Sequence, residues 1–80
     1  MPTKANLKPL IDHAIGALGD LHGEIGIYRS ELRGIKKKHE WTQKEFEALR
    51  TILKIISGLC GQTVEQWEEA AGVSIPKNTS

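Results

Sequence analysis

One cysteine, three prolines and four aromatic residues are all that 80 positions hold of these types. The lone Cys60 excludes an intrachain disulfide framework and suits a reducing compartment. With Tyr28, Trp41, Phe46 and Trp67 as the only aromatics, the core has to be built from Leu and Ile, which favours helix packing. No run approaches the roughly 18 apolar residues of a membrane-spanning helix. No charged leader followed by an apolar stretch opens the sequence, so a cytoplasmic location is the expectation. Charge of one sign is lacking too. Eleven basic residues against ten acidic ones leave +1, so the chain as a whole is no polyelectrolyte for nucleic acid.

Groupings that carry chemistry are also missing. His13, His22, His39 and Cys60 have none of the short, regular spacings of metal ligands. Gly58-Leu59-Cys60-Gly61 reads as a helix terminus, not as a phosphate-cradling loop. Cys60 falls on an apolar arc, where a small buried hydrophobe is expected rather than a nucleophile. No catalytic, cofactor-binding or metal-ligating residue is assigned, and an enzyme is not expected.

What the sequence does contain is a long apolar seam. With Ile11 as heptad position a, Leu18, Ile25 and Leu32 follow at a, and Leu7, Ala14, Leu21, Tyr28 and Ile35 at d. Gly16, Gly19, Gly23 and Gly26 fall on the opposite side, at b and f. Each glycine inside a helix costs about 1 kcal/mol relative to alanine. A stripe of four therefore implies either a close-packed face, with Ile27 beside it, or a kinked helix.

These signals predict an all-α fold, a long helical hairpin plus a short third helix in one domain spanning 1–80. A loose segment covers 1–5 and helix 1 covers 6–38, with Asn6 as N-cap and a length on the order of 45–50 Å. Thr42 and Glu45 form a capping box, Trp41 and Phe46 a hydrophobic staple, and helix 2 runs over 42–60 to Gly61. Thr63 with Gln66 starts helix 3 over 63–71, Gly72 closes it, and 73–80 reads as a flexible tail. The stretch Thr63–Ser74 resembles the first half of a helix-turn-helix. Glu68 stands where a small packing residue is needed, and Pro76 interrupts any recognition helix, so that reading is rejected.

Helix 2 is apolar over half its circumference and cannot cover the N-terminal half of helix 1, so an oligomeric helical bundle is expected. Its seam would be Ile11, Leu18, Ile25 and Leu32, flanked by Glu24 and Glu31 at g and Arg29 and Lys36 at e. The leading functional expectation is a small interaction protein that self-associates and modulates or inhibits another macromolecule, as accessory factors of phages and other mobile elements do. Two alternatives stand beside it. Arg29, Arg33, Lys36, Lys37, Lys38 and Lys44 could bind a polyanion such as RNA or DNA. An oligomer could also sequester a small ligand, for example a nucleotide, near the glycine face.

Overall fold

A computed structural model describes residues 3–19 and 25–76. Its elements in chain order are β1 (Thr3–Lys4), α1 (Lys8–Ala17), α2 (Ile25–Ile35), β2 (Glu40–Trp41), α3 (Gln43–Leu59) and α4 (Val64–Ala71). Helix dominates, and the two short strands pair antiparallel, with Thr3 opposite Trp41 and Lys4 opposite Glu40.

The sharpest boundaries are set by side chains that satisfy the otherwise unpaired N–H groups of a helix start. Before α3 the Thr42 hydroxyl accepts the Glu45 N–H at 3.2 Å, and Glu45 Oε1 accepts the Thr42 N–H at 2.8 Å. Thr63 and Gln66 repeat this reciprocal pair before α4, at 3.1 and 2.9 Å. Each cap is worth about 1 kcal/mol. At the far end of α3, Gly61 adopts φ 72°, and its N–H bonds the Gly58 carbonyl while Gln62 bonds that of Ser57. This left-handed turn satisfies the last carbonyls, and Gly72 does the same for α4 at φ 76°.

The expected helix over 6–38 is not one helix. α1 stops at Ala17, Leu18 caps it, and the Gly19 N–H tightens the turn onto the Gly16 carbonyl at 3.1 Å. The next described helix, α2, spans Ile25–Ile35. The physical reason lies in the core. A straight helix would hold Ile11 and Leu32 about 30 Å apart, whereas both are fully buried in one cluster with Leu18, Leu53 and Ile56. Burying each such side chain gains about 1.5–3 kcal/mol, which outweighs the lost hydrogen bonds of a glycine-weakened segment. The longest dimension of the molecule, 36 Å, is likewise shorter than the expected helix.

Residues 3–5 and 73–76, expected to be loose, make defined contacts. Residues 3–5, placed in a loose start, pair with the 39–41 segment, and the Ala5 N–H reaches the His39 carbonyl at 3.0 Å. Asn6 is not the N-cap; Leu7 is, and Asn6 Oδ1 accepts the Lys8 N–H at 3.3 Å. Within the expected tail, Ile75 is buried in the core, while 77–80 lie outside the described residues.

α1 packs against α2, α3 and α4, so its N-terminal half is covered by its own chain. Leu7, Leu10 and Ile11 are accordingly buried, and His13 meets Trp67 of α4 edge to face at 5.7 Å.

Candidate protein-binding site

Trp41 lines an apolar cleft between α2 and α3. It precedes the N-cap of α3 and stacks on Phe46 at 5.7 Å with planes 17° apart, fixing how the chain enters the helix. Lys38 Nζ lies 5.8 Å from the Trp41 ring centre and 2.5 Å from Glu45 Oε2. Lys38, with the backbone N–H of Thr42, holds the Glu45 carboxyl below its ordinary pKa. The indole Nε1 of Trp41 is buried and has no hydrogen-bond partner among the described residues.

Beside this ring, α2 and α3 enclose a cleft of about 280 Å³, with Ile35 on one wall and Ala48, Leu49 and Ile52 on the other. Glu31 and Glu45 rim it. The Ala48–Ile52 row continues along α3 as Ile55 and Leu59, at the four-three-four spacing of a helix face. On α2, Ile27 lies one turn before Glu31. Ile27, Ile55 and Leu59 are 65, 43 and 59 % exposed, the large hydrophobic side chains left in water among the described residues.

The residues singled out in the sequence are placed differently. Ile11, Leu18 and Leu32 of the expected oligomer seam are buried within this one chain, so they offer no surface to a second copy. The side chain of Ile25 lies outside the described residues. Ile11, Leu18 and Leu32 thus belong to the intramolecular core. Of the expected close-packed face, Gly16 and Gly26 have no atom within 4 Å of an added Cβ, and at Gly19 the near atom is the Gly16 carbonyl oxygen at 3.1 Å. Among the described residues nothing else comes within 4 Å of an added Cβ at these three glycines, and Gly23 lies outside the described residues. Ile27, expected beside the close-packed glycine face, is exposed.

The basic cluster is partly spent inside the fold. Lys36 Nζ sits 2.7 Å from Asp12 Oδ1, Lys38 pairs with Glu45, and Arg29 donates to the Leu18 carbonyl. Arg33, Lys37 and Lys44 are exposed. Cys60 is half-buried, its Sγ 3.9 Å from the Ala17 carbonyl oxygen. Among the described residues, no three His, Cys, Asp or Glu side chains are grouped so as to hold a metal ion. No helix there is long and apolar enough to cross a membrane.

The row Ala48–Ile52–Ile55–Leu59 was legible in the sequence only as part of a half-apolar helix. Which half would face water depended on where α1 and α4 pack. Comparison with protein-family models, curated proteins and solved structures finds no match to this chain.

Proposed function

We propose that this chain is a small non-enzymatic binding protein that takes the apolar face of a helix from another protein into the α2–α3 cleft, and so modulates that protein. The observation that carries the reading is the exposure of Ile27, Ile55 and Leu59 alongside a cleft already lined by Ile35 and Ile52. An apolar row at helical spacing beside an open groove between two helices is the geometry that a third helix fills. Leaving three large aliphatic side chains in water has no benefit for the isolated fold, whereas covering them is favourable.

A photo-crosslinking residue at position 55, compared with one at the exposed position 69 of α4, tests this in cells. The reading expects position 55 to trap one protein repeatedly, through a segment with apolar residues at helical spacing. Equal, diffuse crosslinking from both positions counts against it.

A further inference from the structure

On the other side of α3 the chain grips its own backbone. After the left-handed turn at Gly72, residues 73–76 leave α4 as a strap with no helix or strand structure of its own. Ile75 is 2 % exposed, and neither of its backbone groups is satisfied by secondary structure. Its N–H donates to Glu68 Oε2 of α4 at 2.6 Å, and its carbonyl accepts from Arg50 of α3 at 3.0 Å. Arg50 also reaches the Pro76 carbonyl at 3.5 Å. One residue is thus held by an acid and a base from two different helices, with its side chain in an apolar socket.

Nothing in that grip requires the strap to be covalently attached. Any extended residue presents the same N–H and C=O, and hydrogen bonds to charged groups are the stronger kind. The socket selects an aliphatic side chain. Pro76 adds preorganisation, because a proline biases the residue before it toward extended backbone and lowers the entropy lost on docking. Arg50 and Glu68 also line a cleft of about 370 Å³ with Lys54, Gln62, Thr63 and Glu65, which leaves room for more of a ligand than the strap supplies. It shares no residue with the α2–α3 cleft, so the two sites stand or fall separately.

We propose that the α3–α4 cleft is a receptor for an extended peptide carrying an aliphatic residue followed by proline, and that Ser74-Ile75-Pro76 occupies it as a built-in competitor. A tethered segment acts at a high effective concentration, so the strap keeps the site closed until a better ligand arrives or the strap is weakened.

The test uses the full chain with Ile75→Ala, which empties the socket, and an acetylated, amidated peptide Val-Ser-Ile-Pro as probe. Titration is followed by amide chemical shifts of Glu68 and Gln62. The peptide is expected to bind the Ile75→Ala chain saturably and the parent chain about tenfold or more weakly, since occlusion multiplies the apparent affinity by the open fraction. Replacing Ile by Ala in the peptide, or adding Arg50→Gln to the chain, should remove that binding. Absence of saturable binding to a folded Ile75→Ala chain, or binding indifferent to both changes, overturns the proposal. Should that variant not fold, hydrogen exchange of the Ile75 amide in the parent chain decides. Excess peptide should accelerate it by holding the strap open, and an unchanged rate overturns the proposal.

Discussion

Lys36 Nζ lies 2.7 Å from Asp12 Oδ1, which ties the residue just past α2 to the middle of α1. Along a continuous helix these two residues would stand about 36 Å apart. The ion pair is therefore as direct a mark of the break between α1 and α2 as the turn itself. Its side chains are 35 and 43 % exposed, so solvent screens it and its own contribution is at most about 1 kcal/mol. Asp12→Asn should lower the melting midpoint slightly or not at all. With Lys36 and Lys38 both paired, changing Lys36, Lys37 and Lys38 to Ser should also leave partner binding intact. Loss of binding that tracks loss of retention on a polyanion column would instead favour nucleic acid.

The core should behave as that of one self-contained chain. Leu32→Ala, at a fully buried position, should cost about 2–5 kcal/mol. Because Ile11, Leu18 and Leu32 are internal, the melting midpoint of the parent chain should not depend on protein concentration. A midpoint that rises steadily with concentration would return these residues to an intersubunit seam.

The glycines divide by geometry. Gly16 and Gly26 lie in α1 and α2 with open space around an added Cβ, so alanine at either should stabilise, by up to about 1 kcal/mol. Gly61 and Gly72 adopt φ 72° and 76°, and alanine there should destabilise by about 1 kcal/mol or more. Thermal melts of the four single variants check the sign at each site. A loss at Gly16 or Gly26 would mean that something does pack there.

The α3 cap carries a pH signature. Lys38 and the Thr42 backbone lower the Glu45 pKa in the folded chain relative to the unfolded one. The folded state then binds its proton less readily, so the stabilisation is present above the unfolded carboxylate range and is lost as pH falls through the lowered value. Glu45→Gln should flatten this acid-side fall in the melting midpoint, and Thr42→Ala should cost about 1 kcal/mol at neutral pH. An acid limb unchanged by Glu45→Gln would place the titrating group elsewhere.

Legibility from the sequence followed locality. The capping boxes at Thr42 and Thr63 and the glycine stops at 61 and 72 involve residues three or four apart, so their partners sit in the same short word of sequence. The unbroken heptad seam misled, because its period is the same whether the apolar residues lie on one long helix or on two that fold onto one core. Local weakness at Gly16 and Gly19 marked the break, but only the burial of Leu32 and Ile11 in one core makes breaking favourable. The strap was illegible for a related reason. Ile75 followed by proline reads as a tail until Arg50, 25 residues earlier, is placed over its carbonyl. Glu68, which disqualified a helix-turn-helix, is there to hold the Ile75 N–H.

The most direct measurement of the central claim is the affinity of the protein trapped at position 55 for the chain carrying Ile27→Asp and Ile55→Asp. Both positions are exposed, so the melting midpoint should shift little, within the about 0.5 kcal/mol usual for surface changes. Affinity should fall by about tenfold or more, the scale of losing an interface residue worth over about 1.4 kcal/mol. Undiminished affinity in the folded double variant, with loss instead in a Lys37→Ser/Lys44→Ser control, would contradict the claim that the α2–α3 cleft is where this protein binds.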